Sequence, residues 1–256
     1  MSYTQGEYQV VSKKNLARNT YDFTLAAKEI ADLASAGQFV HIKVKGFFLR
    51  RPISICEINK EQGTIRIVFE VRGEGTEEMA NVNKGDLLDV MGPLGKGFTL
   101  LDSSKQAIVV GGGIGGPPML EVAKQYGENA TAIAGFRSAN AVILHEDFRQ
   151  IGANTMLCTD DGTMGTKGFV TAALKQRLLE GKADIIYACG PHMMLKGVVA
   201  LANEFGVPCE VSLEERMGCG VGACLVCACK TVKDGKEYLA HVCKDGPVFK
   251  AEDVIL

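Results

Sequence analysis

Cys219-Gly220-Val221-Gly222-Ala223-Cys224-Leu225-Val226-Cys227, with Cys243 beyond it, decides how the rest of this chain is read. The spacing is C-x4-C-x2-C, then fifteen residues, then a fourth cysteine. Four thiolates at this plant-type ferredoxin spacing predict that Cys219, Cys224, Cys227 and Cys243 hold a [2Fe–2S] centre. A loop that wraps a cluster closely needs positive φ, which Gly220 and Gly222 supply. A hairpin is predicted from Cys229–Val232 and Tyr238–Val242 around Lys233-Asp234-Gly235-Lys236, with Cys243 closing the site from its end. Zinc ranks second, because structural zinc sites pair two C-x2-C knuckles and only one is present. Disulfides rank last, since no signal peptide is visible. Cys229 reads as packing rather than a fifth ligand.

Working outward, the chain has 256 residues, 46% of them hydrophobic, enough to bury sizeable cores in two domains and a small extra module. A net charge of −2 without long single-sign runs argues against a nucleic-acid partner. No uninterrupted apolar stretch reaches membrane-spanning length, so no membrane association is expected. Nine cysteines fit a reducing, cytoplasmic compartment better than a disulfide framework.

Residues 1–101 read as β. Tyr8–Lys14, Thr20–Ala26, Phe39–Val44, Pro52–Ile58, Thr64–Val71 and Leu87–Met91 are short runs rich in β-branched and aromatic residues, separated by turn formers. Six strands at this spacing predict a small antiparallel barrel. Residues 102–212 change rhythm. Strands are predicted at Gln106–Val110, Thr131–Gly135, Met156–Thr159, Asp184–Ala188 and Pro208–Ser212, with helices at Pro117–Tyr126, Phe169–Leu179 and Met193–Phe205. Alternating β and α predicts a parallel sheet covered on both faces. Residues 213–256 form the cysteine module. The fold class is therefore an antiparallel β-barrel, a parallel α/β nucleotide-binding domain and a small iron–sulfur module.

Three further motifs carry chemistry. Arg51-Pro52-Ile53-Ser54 lies on a barrel strand. Gly73-Glu74-Gly75-Thr76 precedes a predicted short helix, Glu77–Ala80, and a glycine turn into a helix start suits a pyrophosphate. Gly111-Gly112-Gly113-Ile114-Gly115-Gly116-Pro117-Pro118 follows a strand and opens a helix, the context for dinucleotide phosphates, without the strict G-x-G-x-x-G-plus-acid arrangement. Cys189-Gly190-Pro191 ends a later strand, where Cys189 is either a nicotinamide neighbour or a buried small hydrophobe. Gly92-Pro93-Leu94-Gly95 and Asp160-Asp161-Gly162 read as turns.

Barrel, glycine-rich α/β domain and cysteine loop in this order resemble the ferredoxin–NADP reductase superfamily with an iron–sulfur appendage, over the whole length. The resemblance implies FAD, NAD and [2Fe–2S] as cofactors. Arg51 would meet the FAD pyrophosphate and Ser54 would approach flavin N5, while Ile53 replaces the family's tyrosine and loses its stacking. It also implies flavin contacts from Pro52, Val68, Phe69, Glu70, Gly73, Gly75 and Thr76, nicotinamide-nucleotide contacts from Gly112, Gly113, Gly115 and Pro118, and catalytic positions at Ser54 and Cys189. Leu49–Ile55, Glu215–Cys224 and Val242–Phe249 look like the electron-transfer subunits of type B dihydroorotate dehydrogenases. That likeness implies pyrimidine biosynthesis, an FMN-containing catalytic subunit as partner in a heterotetramer of two of each, and NAD+ as acceptor. Leu225 and Val226 are contact candidates for the partner. Two readings stay beside it: a reductase subunit of a bifurcating ferredoxin- or sulfide-metabolising complex, and a non-enzymatic zinc-stabilised docking module.

Overall fold

The computed structural model describes residues 2–256. Six strands close an antiparallel barrel: β1 (Thr4–Ala17), β2 (Thr20–Ala26), β3 (Phe39–Ile42), β4 (Arg51–Asn59), β5 (Thr64–Glu70) and β6 (Leu87–Leu94), in the order β1-β2-β5-β4-β3-β6. Its interior holds Phe23, Leu25, Val40, Ile42, Ile55, Ile65, Ile67 and Phe69, the inward half of alternating strands. Two short helices line its ends, α1 (Lys28–Leu33), which buries Ile30, and α2 (Glu74–Ala80), which buries Met79.

Two details differ from the sequence expectation. Helix α2 starts at Glu74, not Glu77, because Thr76 caps it from within. Its Oγ1 accepts from the Arg72 and Gly73 N–H groups (2.9 and 3.2 Å) and donates to the Gly73 carbonyl (2.9 Å). Gly92-Pro93-Leu94 is not a turn but the end of β6, paired to β1 at Gly92 and to β3 at Leu94. Gly92 is required there because a Cβ would fall 2.8 Å from Val40 Cγ1.

The second body contains β7 (Ala107–Gly112), α3 (Pro117–Tyr126), β8 (Ala130–Phe136), α4 (His145–Gln150), β9 (Asn154–Thr159), β10 (Thr166–Lys167), α5 (Val170–Glu180), β11 (Ile185–Cys189), α6 (His192–Phe205) and β12 (Cys209–Ser212). Its strands are parallel, in the order β10-β9-β8-β7-β11-β12. Successive residues of β7 feed opposite faces, as a doubly covered sheet requires: Val109 packs with Met119, Val122 and Tyr126, while Ile108 and Val110 pack with Leu174, Leu195 and Val198. The cysteine segment adds the hairpin β13 (Ala228–Lys233)–β14 (Lys236–His241) and a last strand, β15 (Val248–Lys250), which pairs antiparallel with β12 at the edge of the large sheet. Among the described residues no helix is long and apolar enough to cross a membrane.

Barrel and sheet meet in a polar seam. Arg66 on β5 binds Asp22 of β2 (Nη2–Oδ2 2.8 Å), approaches Glu57 (3.6 Å) and pairs with Asp147 on α4. Glu121 on α3 accepts from the Ile58 N–H (2.9 Å). The linker is held by Tyr187, which donates to the Thr99 carbonyl (2.8 Å) and shares a 2.7 Å hydrogen bond with Tyr126. Tyr126 in turn accepts from the Leu101 N–H (2.8 Å). Tyr187→Phe leaves those buried groups short of a partner and should cost about 1–3 kcal/mol. An apparent Tm equal to wild type would remove the tyrosine pair from the seam's stability.

Candidate functional site

The flavin motif lies on β4 as the strand's alternation demands. Ser54 pairs with Phe39 and Pro52 with His41, so these four face out of the barrel, while Arg51 and Ile53 fall on the other face. The Arg51 guanidinium stacks at 5.0 Å over Phe47 and donates to the Leu49 carbonyl (2.6 Å). Among the described residues none of its hydrogen bonds reaches a carboxylate. Its tip lies against Gly75, where any Cβ would occupy the guanidinium's place. Arg51 and the Gly73–Thr76 turn, 22 residues apart counting from Arg51 to Gly73, thus form one cationic cradle suited to a phosphate. Thr76 contributes through the cap; its hydroxyl is occupied there. Phe69 turns its ring into the barrel against Phe23 (5.2 Å, edge-to-face) and Val68 is buried at the seam, so only their main chain can reach a flavin. Glu70 pairs with Arg72 (2.9 Å).

The glycine loop sits where strand order reverses, since β8 and β9 lie to one side of β7 and β11 and β12 to the other. Ligands bind open α/β sheets at such a switch point. Several of its glycines are explained by packing. A Cβ on Gly111 would strike Gly116 Cα (2.8 Å), one on Gly112 would strike Met194 Sδ (2.6 Å), and one on Gly115 would strike the Cys189 carbonyl. Gly113 differs, with φ +55° and open space around it. Pro118 is buried in the first turn of α3. Cys189 ends β11 beside this loop. Burial pushes its thiol up to about 12, against partial relief from the Ser212 hydroxyl, so it stays protonated.

Each of the four cysteine sulfurs accepts a main-chain N–H. Cys219 Sγ takes three, from Val221 (3.4 Å), Ala223 (3.2 Å) and Cys224 (3.4 Å). Cys224 Sγ accepts from Cys219 (3.4 Å), Cys227 Sγ from Cys243 (3.4 Å) and Cys243 Sγ from Gly222 (3.1 Å). Burial raises the Cys219 thiol, but these N–H donors and the Cys224 thiol outweigh it and bring it down to about 6. Burial and the neighbouring Cys227 thiol push Cys243 up to about 12. Cys227 and Cys243 are buried, with Phe39, Met91, Leu94 and Val242, on the outer face of the barrel; Cys224 is exposed. Four cysteines, three at C-x4-C-x2-C and a later fourth, each with an N–H aimed at its sulfur, form a donor set that fits [2Fe–2S]. Leu225 and Val226 are exposed at its tip, Leu225 in the left-handed region at φ 61°.

His41, which sequence reading passed over, lies under this loop. It is fully buried and neither ring nitrogen finds a hydrogen-bond partner of good geometry among the described residues, although the main chain of Arg50 and of Cys219 comes close. Burial first, then the Arg50 charge, lowers it to about 4, so the imidazole is neutral. A lone buried histidine has no periodic signature, and only the tertiary contact exposes it.

Two family models match parts of the chain. Residues 7–98 match the oxidoreductase FAD-binding domain, and residues 214–255 match the iron–sulfur cluster binding domain of dihydroorotate dehydrogenase B. The dihydroorotate dehydrogenase B (NAD(+)) electron transfer subunit of Bacillus caldolyticus is 44% identical over 256 residues, covering 96% of this chain and 97% of that protein. The chain belongs to this electron-transfer subunit family. The subunit of Fusobacterium nucleatum is 43% identical and covers 93% of this chain and 94% of that protein. Among solved structures, an NADH-dependent reduced ferredoxin–NADP oxidoreductase studied for flavin-based electron bifurcation is 32% identical, with TM-score 0.85, over 97% of this chain and 89% of that chain. Phthalate dioxygenase reductase, at 19% identity and TM-score 0.60, shares the fold. The family thus carries an FAD domain and an iron–sulfur domain in one chain, as the sequence implied.

Gly75→Val should push Arg51 out of its cradle while leaving the barrel folded. Loss of one charge-assisted contact, worth about 1.5–3 kcal/mol, corresponds to roughly 10- to 100-fold weaker FAD retention. Unchanged retention on dilution would remove Arg51 and Gly75 from the flavin site.

Proposed function

We propose that this subunit conveys electrons from the FMN of a dihydroorotate dehydrogenase catalytic subunit through [2Fe–2S] and FAD to NAD+, in pyrimidine biosynthesis in the cytoplasm, within a heterotetramer of two of each. The observation that carries this reading is the four-cysteine loop seated on the outer barrel face beside Ser54, in a chain 44% identical to such subunits over nearly its full length. When bound, a flavin exchanges electrons with a nicotinamide as hydride and with iron singly, which is why it belongs between them.

The chain's own residues position these groups. Arg51 and the Gly75 turn hold phosphate charge, and Ser54, on the face turned toward the cysteine loop, offers its hydroxyl at flavin N5. The Gly112–Gly115 loop, with Gly113 open, and the Cys189 strand end frame the nicotinamide at the switch point. Cys219, Cys224, Cys227 and Cys243 ligate iron, and the N–H groups aimed at their sulfurs stabilise thiolate charge. The exposed Leu225-Val226 tip faces the catalytic subunit. The bifurcating-reductase reading is favoured by the 0.85 TM-score of that structure. It ranks second because identity is higher, 44%, to the dihydroorotate dehydrogenase subunits and the cysteine segment matches their domain.

The two readings separate on co-expression with a dihydroorotate dehydrogenase catalytic subunit: dihydroorotate-dependent NAD+ reduction is expected only in the complex. Activity from this chain alone, or none from the complex, would contradict the proposal. Cys224→Ser should abolish the iron–sulfur absorbance and partner-linked turnover yet spare NADH–dye reductase activity. Ser54→Ala should slow flavin reduction by NADH about 10- to 100-fold with FAD still bound, the scale of one positioned hydrogen bond. An unchanged rate would take Ser54 out of the reaction.

A further inference from the structure

His41 is an oddity in its strand. Its neighbours Val40 and Ile42 fill the barrel interior, whereas His41 faces outward with Phe39 and is nonetheless fully buried. Across the strands it pairs with Pro52 of β4, two residues from Ser54, and with Met91 of β6. What covers it is the cysteine loop. A Cβ on Gly220 would fall 2.6 Å from His41 Nδ1 and 3.2 Å from Leu94 Cδ1, and Gly220 holds φ +75°. The glycine between Cys219 and Val221 is therefore fixed by the imidazole beneath it as well as by its own backbone. From the other side, Arg50 donates to the His41 carbonyl (3.2 Å) while bound to Asp89 (2.8 Å). The strand segment that carries the flavin motif thus also anchors His41.

An imidazole ring carries polar nitrogens, and a buried one whose nearest polar neighbours are the main chain of Arg50 and of Cys219, without good hydrogen-bond geometry, is less stable than an apolar residue of similar size. Such a group calls for an explanation at the site where it sits. Here it is wedged between the strand that faces flavin and the loop that carries the first cysteine. Leucine or methionine would fill the same space.

We propose that His41 is a positioning residue of the electron relay: lodged under Gly220 and beside the Cys219 main chain, its imidazole sets the height of the Cys219–Val221 turn above the flavin-facing strands. This rests on the reading above, in which that loop holds [2Fe–2S]. Hydrogen-bond donors around cluster sulfurs govern reduction potential, and the N–H groups of Val221, Ala223 and Cys224 that reach Cys219 Sγ belong to the loop that His41 supports, so removing the imidazole should shift the cluster and not the flavin.

The test uses the complex with the catalytic subunit, comparing wild type with His41→Leu, His41→Gln and Gly220→Ala. All should retain FAD and iron. Redox titration followed by EPR should place the His41→Leu cluster at a more negative midpoint with altered g-values and an unmoved FAD midpoint. His41→Gln, which keeps an N–H, should lie closer to wild type. Gly220→Ala, whose added methyl displaces the imidazole, should move in the same direction as His41→Leu. A wild-type midpoint and spectrum in His41→Leu would overturn the inference. So would a His41→Gln shift as large as that of His41→Leu, or loss of iron from both. Wild-type protein lacking iron or flavin would instead overturn the functional reading beneath it.

Discussion

The cysteine segment is attached at both ends of its span, and the arrangement of every other site follows from that. Its loop rests on β3 and β6 of the barrel through Phe39, Met91 and Leu94, while β15 completes the edge of the nucleotide-domain sheet against β12. Leu213 donates to the Pro247 carbonyl (2.9 Å), tying the segment's start to its end, and Lys96 donates to the Gly246 carbonyl (2.5 Å), tying the end to the barrel's exit. A module bound by one side chain patch would be free to swing. One paired into a sheet on one side and packed on a barrel on the other is held in place relative to both. Electron transfer between fixed centres needs that rigidity more than it needs any single reactive side chain.

The same economy governs the glycines. A string of five around Ile114 invites the conclusion that a dinucleotide demands them all. The geometry divides the work. Gly112 and Gly115 let the β7 loop nest against the Cys189-Gly190-Pro191 loop of β11, Gly111 lets the loop fold back on its own Gly116, and only Gly113 of the string combines positive φ with free space. Close packing of the two loops is what builds the crevice at the switch point; the ligand surface is a consequence of it. Gly75 works the same way at the flavin cradle, where the missing Cβ makes room for Arg51 and thereby places a cation beside a backbone turn.

Long periodic elements were legible in the chain. Helix α3 was visible because Met119, Val122, Ala123 and Tyr126 repeat on one face, and the barrel strands because β-branched residues alternate between turn formers. The cysteine loop was legible because ligand chemistry fixes spacing. Helices α1 and α4, of six residues each, escaped because so short a span holds too few turns to show a period. Strand β15 escaped because three residues carry no pattern and its partner, β12, lies far back in sequence. Helix α2 starts earlier than the sequence predicts because two glycines, Gly73 and Gly75, read as a turn, while the Thr76 hydroxyl caps the helix from within its first turn. His41 and the Tyr126–Tyr187 pair are tertiary facts: each residue's role depends on which distant backbone comes to rest on it.

The sulfurs are unequal in their burial and in the donors that reach them. Cys227 and Cys243 are sealed against the barrel, on the side of Ser54, whereas Cys224 is exposed beside the Leu225-Val226 tip. Three N–H donors lower the Cys219 thiol, while burial and the Cys227 thiol raise that of Cys243. A cluster held on this set would have apolar surroundings on the barrel side and an exposed loop on the other. The exposed apolar pair Leu225 and Val226 suits a surface able to exclude water from it. The left-handed backbone of Leu225 has a bearing on this: an L residue with a bulky side chain is held there against its preference, and its large apolar side chain is exposed.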